Sequence, residues 1–214
     1  MQTTVCINEI RDFVEKEICP LVKLKQASDT VHDGEYPYKL VTPKCYAMYP
    51  EFADQTDYRH PSCVVVTGRD ESPAKRDLIE KFESIPITLV FGTWNPGIHS
   101  QDVMYPIKDE NGNLVKDSNG NILYRSDPEL EFQKSIAGWE DAWNFADVAE
   151  RVIQNSQHFG KYTFLDQSVS IKKGDASAYK YKHEFYPYFF TYISFNVLTP
   201  AFSIHTTIKP LLED

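Results

Sequence analysis

The sequence predicts an α+β fold: a mostly antiparallel sheet flanked by two helices, order α-β-β-β-α-β-β, with a long hairpin-containing loop insertion. Three observations carry that prediction. Helical periodicity appears near the N-terminus and again around residues 139–153. Strand-type patterns fill the stretches between and after them. The repeating βαβ rhythm of a parallel sheet is missing. A sequence of 214 residues, 42% hydrophobic and 14% aromatic, can bury a sizeable core as one domain over residues 1–214.

The first helix is expected over residues 4–19. Ile7, Ile10, Phe13, Val14, Ile18, Leu21 and Val22 form its apolar stripe, with Arg11, Asp12, Glu15 and Lys16 opposite, and Pro20 ends or kinks it. Short strands are expected at Leu40-Val41 and from Cys45 to Tyr49, then a β-branched buried strand at Cys63-Val64-Val65-Val66. Residues 69–83 read as a loop or short helix. A central strand follows from Ile85 to Gly92, with Pro86 confined to its start.

Residues 93–131 form a protruding loop. Within it Asp109-Glu110-Asn111-Gly112-Asn113-Leu114-Val115 is echoed eight residues later by Asp117-Ser118-Asn119-Gly120-Asn121-Ile122-Leu123. Asn-Gly between apolar residues is a hairpin signal, and a type I′ turn is expected at each copy. Asp109, Asn111 and Asn113 also have the alternate oxygen spacing of a calcium loop. Such a loop needs Gly at its sixth position and Glu at its twelfth, where this protein has Leu114 and Gly120, so turn chemistry outweighs calcium.

The second helix begins as early as Pro128 and stops at Gly160. Trp139, Ala142, Trp143, Ala146, Ala149, Glu150 and Ile153 make one face, expected against the sheet; Phe145, Val148 and Val152 make a second strip, expected to face a neighbour. Strands are then expected at Tyr162 to Leu165, at Val169 to Ile171, and over the aromatic run from Tyr186 to Val197. Its aromatics are assigned to core or subunit interface, since stacking on nucleic acid needs a basic groove beside the rings. Residues 200–214 are read as a C-terminal arm.

Lys and Arg number 22 against 31 Asp and Glu, a formal charge of −9 that argues against a generally basic nucleic-acid binder. No apolar run reaches membrane-spanning length, and the first residues lack a basic signal-peptide region, so a soluble, intracellularly made protein is expected. The four cysteines, Cys6, Cys19, Cys45 and Cys63, show neither zinc-knuckle nor CxxC spacing and are expected to be reduced. Phosphate-loop, dinucleotide, nucleophile-elbow and HExxH motifs are not found. His99 with Asp102 is the best local pair, read as an exposed loop feature rather than a ligand pair. On these grounds no catalytic, cofactor-binding or metal residue is assigned, and no cofactor is expected.

Two segments are more distinctive. Residues 85–99 read IPITLVFGTWNPGIH and residues 135–150 read SIAGWEDAWNFADVAE, followed by FGKYTF and EFYPYFFTYISFNV. This order resembles the tail terminator (tail completion) proteins of long-tailed phages and prophages of Gram-positive bacteria, over residues 3–200, and the succession of elements resembles the phage lambda tail terminator fold. The resemblance implies a structural virion protein and not an enzyme. Such a protein forms a homo-oligomeric, usually hexameric ring on the head-proximal end of the tail tube. It stops tube polymerisation and offers the surface to which the head joins. The implied partners are the tail tube protein and a head-completion or neck protein. DNA would pass through the lumen without specific binding, no membrane would be involved, and the protein would reside in the virion after assembly in the host cytoplasm. Candidate assembly residues are Asp109, Asn111, Leu114, Asn119 and Ile122 on the loop, with Phe145, Val148 and Val152 on the second helix. The alternatives are a head-completion or neck adaptor, and a small enzyme or ligand-binding module with a dispersed site.

Overall fold

The computed structural model describes residues 2–28, 36–48, 59–67, 82–126, 132–175 and 186–200. It is α+β, with two helices and mostly antiparallel sheets, as the sequence predicts. The expected loop or helix at residues 69–83 falls almost wholly outside the described residues, and the expected arm at 200–214 does so beyond Pro200.

Helix α1 runs from Gln2 to Phe13 and continues as a π turn, Val14–Ile18, and a 3-10 turn, Cys19–Leu21. Pro20 has no N–H to donate and its ring crowds the carbonyl four residues earlier, so regular α geometry cannot pass it. The Cys19 N–H instead bonds the Val14 carbonyl, which widens the helix while Val14, Ile18 and Cys19 stay fully buried.

A hairpin follows, β1 (Leu24–Ala27) paired antiparallel with β2 (Tyr38–Val41). The main sheet is built on two long strands, β5 (Phe82–Trp94) and β12 (Tyr188–Pro200), paired antiparallel along all 13 residues of each. Beside β5 lies β4 (Ser62–Thr67), and beyond it β3 (Lys44–Ala47), the parallel member, which places Cys45 level with Cys63. On its other side β12 pairs β10 (Phe164–Leu165) and β11 (Lys172–Asp175).

Pro86 sits well inside β5, not at its start. Its partner Asn196 gives its carbonyl to Asp166 N, 2.9 Å away on the β10 side. The Pro86 nitrogen therefore points toward the β4 side, beyond the last described pair, Thr67 with Ile87. Among the described residues no ladder bond is lost, which is the condition for proline in a strand.

One sheet face carries Cys63, Val65, Ile87, Leu89, Phe91, Ile193, Phe195 and Val197, packed with α1 and the second helix into a single core. α2 spans Trp139–Ser156, later than the expected start at Pro128; it ends where Gln157 turns left-handed at φ 52°, three residues before Gly160. Its buried face is Ala142, Phe145, Ala146, Ala149 and Ile153. Phe145 is fully buried and meets Phe91 edge-on at 4.7 Å, whereas Trp139 is 49% exposed. The expected assignment of faces is corrected accordingly: Phe145 belongs to the core, and the Trp139 indole does not pack into it.

Candidate functional site

Two features stand apart from the core: a polar cluster on the loop after β5, and an arm that grows out of that loop.

The loop is Asn95-Pro96-Gly97-Ile98-His99, continuing into a short 3-10 turn, Ser100–Asp102. Gly97 and Ile98 form β6 (Gly97–Ile98), paired with β9 (Gln133–Lys134). Gly97 adopts φ 149°, and a Cβ there would lie 2.1 Å from the Gln133 carbonyl oxygen, so the close approach of β9 requires glycine. Lys25 from β1 reaches across 77 positions to the Asp102 carboxylate at 2.7 Å, and donates also to the Gly97 carbonyl at 3.2 Å and Asn95 Oδ1 at 3.4 Å. Tyr38 from β2 donates its hydroxyl to the other Asp102 oxygen. The His99 backbone N–H completes the set at 2.8 Å. On the far side Asn95 donates to Asp141, in the first turn of α2, at 2.7 Å.

The electrostatics follow from this geometry. Burial pushes the Asp102 carboxyl up, but bonds from Lys25, Tyr38 and the His99 backbone outweigh it and hold the group below the usual aspartate range. Asp141 goes the other way: burial raises it more than Asn95 and Lys25 lower it. His99, an exposed loop residue on sequence grounds, is in fact buried, its ring 4.7 Å from that of Tyr38 and 5.0 Å from that of Phe132. Among the described residues neither ring nitrogen makes a well-formed hydrogen bond, and the nearest anion, Asp102, lies 3.5 Å from Nδ1. Burial first, and the Lys25 charge second, depress its pKa; the Tyr36 backbone and Asp102 oppose them. The cluster bolts the β1–β2 hairpin, the loop and the head of α2 together at the root of the arm.

The arm occupies residues 104–126. Its base is β7 (Met104–Pro106) paired with β8 (Tyr124–Ser126). Above the base three segments bond in a ring: Ile107 N to the Leu123 carbonyl, Leu123 N to the Val115 carbonyl, and Val115 N to the Ile107 carbonyl, each at 2.9 Å. The bridges Lys108–Leu114 and Lys116–Ile122 flank that ring, and Pro106–Tyr124 occupies the equivalent third place. Two near-identical turns join the segments. Asp109 Oδ1 accepts from Asn111 N and Asn113 N at 2.9 and 2.8 Å, and Asp117 Oδ1 accepts from Asn119 N and Asn121 N at 2.8 and 2.9 Å. These carboxylates are engaged by the turns' own amides, and that bonding holds both acids below the ordinary aspartate range. Only the glycines have positive φ, 82° at Gly112 and 87° at Gly120. Each turn is therefore a type I turn closed by a left-handed glycine, not the type I′ turn expected, in which Asn111 and Asn119 would share positive φ.

Of the predicted assembly residues, Asp109, Asn111, Leu114, Asn119 and Ile122 all lie on this arm. Phe145, Val148 and Val152 do not join them: Phe145 is in the core, and Val148 and Val152 are half-buried against it because they flank the same face of α2. Residues that sequence reasoning missed are the exposed apolar side chains Met104, Tyr105 and Tyr124 on the arm, and Ile136 just before α2; Leu123 and Trp139, which it named, are exposed beside them. The eight-residue spacing of Ile107, Val115 and Leu123 was a signal for the third segment of the ring. Lys25, Tyr38 and Asn95 had no local signal, since their partners are distant in sequence.

No protein-family model, curated protein or solved structure matches this protein. Among the described residues no group of three or more His, Cys, Asp or Glu could hold a metal ion, and no helix is long and apolar enough to cross a membrane. An open groove of about 350 Å³ lies between α1 and the β3 edge; two of its lining side chains, Arg11 and Asp12, pair with each other at 2.6 Å.

Proposed function

We propose that this protein is a structural assembly subunit, a tail terminator that closes into a ring on the tail tube through its arm. The observation that carries the reading is the arm itself. Residues 104–126 fold on their own backbone bonds and contribute nothing to the buried core, yet display Met104, Tyr105, Leu114, Leu123 and Tyr124 to solvent. Apolar side chains held on a projection without a folding role suit contact with another polypeptide. A contact between an arm on one subunit and a different surface on the next is heterologous, and heterologous contacts close into rings when the rotation permits. The α+β fold and the FGTWNPG and GWEDAWNF segments, which build the root of the arm and the head of α2, are in keeping with the tail terminator resemblance.

The test is native mass measurement of the purified protein, alone and with tail tube protein, beside a variant in which residues 108–122 are replaced by Asn-Gly. The intact protein should form a closed oligomer or cap the tubes. The variant should fold and do neither. An intact protein that stays monomeric and leaves tube growth unchanged overturns the proposal.

A further inference from the structure

We propose that Asn111 and Asn119 are sites of spontaneous deamidation, so that the two arm turns convert in the folded protein to isoaspartyl and aspartyl forms. The proposal does not depend on the assembly reading.

The chemistry needs only water. The backbone nitrogen of Gly112 gives up its proton to solvent base and attacks Cγ of Asn111. A new C–N bond forms there, the bond from Cγ to Nδ2 breaks, and the amide nitrogen leaves as ammonia after taking a proton from water. The cyclic imide that results is opened by water. Attack at Cγ restores the original backbone and leaves aspartate. Attack at the backbone carbonyl leaves the backbone running through the former side chain, an isoaspartyl link with one extra methylene. Gly120 and Asn119 repeat the sequence of steps.

Three structural observations select these two asparagines. First, both side chains are exposed and, among the described residues, their amides have no hydrogen-bond partner, whereas the Asn113 and Asn121 amides donate to Asp109 and Asp117 at 3.2 and 3.1 Å. Second, the attacking residue is unhindered. A Cβ at Gly112 or Gly120 would meet nothing within 4 Å, while Asn113 and Asn121 precede the branched Leu114 and Ile122. Third, each attacking nitrogen is held only within its own turn, Gly112 N by Asp109 O at 2.9 Å and Gly120 N by Asp117 O at 3.1 Å, with the carboxylate of the same aspartate as a second acceptor. That bonding lies in an arm without core residues, so it opens locally, without global unfolding. Asn95 and Asn196 are part-buried and bonded to Asp141 and Ser84, and are not expected to react.

The experiment incubates the folded full-length protein at mildly alkaline pH, maps peptides by mass with isoaspartyl detection, and follows a synthetic peptide of residues 107–123 in parallel. Conversion is expected at Asn111 and Asn119, with Asn113 and Asn121 intact, at a rate within about tenfold of the peptide, an opening cost of about 1.4 kcal/mol at most. Asn111→Ser and Asn119→Ser should abolish the product at their own positions, and unchanged melting temperatures would show that both variants fold. A folded protein that converts more than tenfold slower than the peptide overturns the proposal, as does equal conversion at Asn113 and Asn121.

Discussion

The Lys25 ammonium lies 2.7 Å from the Asp102 carboxylate, with 14% and 23% of the two side chains exposed, and this pair ties the first hairpin to the root of the arm. Asp102 also anchors Tyr38 and its own turn, so removing it takes a shared acceptor from three donors at once. Asp102→Ala should cost about 1–3 kcal/mol, measured by denaturant unfolding. Lys16→Ala is the control: Lys16 is 82% exposed beside Glu17 and should change stability by less than about 0.5 kcal/mol. Equal effects at the two positions would show that the Lys25–Asp102 pair is not structural.

Acid should weaken the fold before its carboxylates titrate. His60 and His99 both have pKa values pushed below 6.5, chiefly by burial, so in this window the unfolded state binds protons that the folded state refuses. Stability is therefore full above about pH 6.5, the unfolded value, and falls as pH drops from there toward the folded values. Melting temperature should decline over that range, and His99→Phe should flatten the decline. A melting temperature that is level or rises from pH 7 down to about pH 5 would contradict the neutral buried state of these rings.

Two of the three aromatic positions of α2, Trp139 and Phe145, should respond in the reverse of the order that sequence reasoning gives. Phe145→Ala removes a fully buried ring packed on Phe91 and should cost about 3–5 kcal/mol. Trp139→Ala removes a half-exposed indole and should cost less than about 1 kcal/mol, while weakening any oligomer that uses the head of α2. Chemical denaturation of both variants decides between the two assignments.

That reversal shows where the sequence was legible. Strand β12 was readable because period-two alternation puts Thr191, Ile193, Phe195 and Val197 on one face, which the structure turns inward. On α2, apolar residues occupy more than half the circumference, so periodicity alone did not say which arc meets the sheet; small residues at Ala142, Ala146 and Ala149 let the helix approach closely, and that approach carries Phe145 inward. The arm was legible as two turns because the eight-residue echo is local. Its closure into a ring was not, since Leu123 must return to Ile107 across 16 positions, and Asn-Gly fits both the type I′ turn and the observed type I turn with a glycine bulge. The Lys25–Tyr38–Asp102 cluster was invisible for the same reason. Its Lys25 and Tyr38 bonds to Asp102 join segments more than 60 residues apart.

The arm should come apart independently of the body. Asp109 and Asp117 each gather two backbone amides and one asparagine side chain, and no core residue backs either turn. Their folded pKa values lie below 3.8, so the stability they give the turns is complete above the unfolded value and is lost as pH falls through the folded one. Replacing both with alanine removes the same bonds at neutral pH. Amide exchange at the residues of both turns should then accelerate, while exchange in β5 and β12 and the global melting temperature stay as they were. If instead the double variant lowers the melting temperature by more than a few degrees, the arm and the sheet share one cooperative unit, and the arm is part of the fold rather than a projection from it.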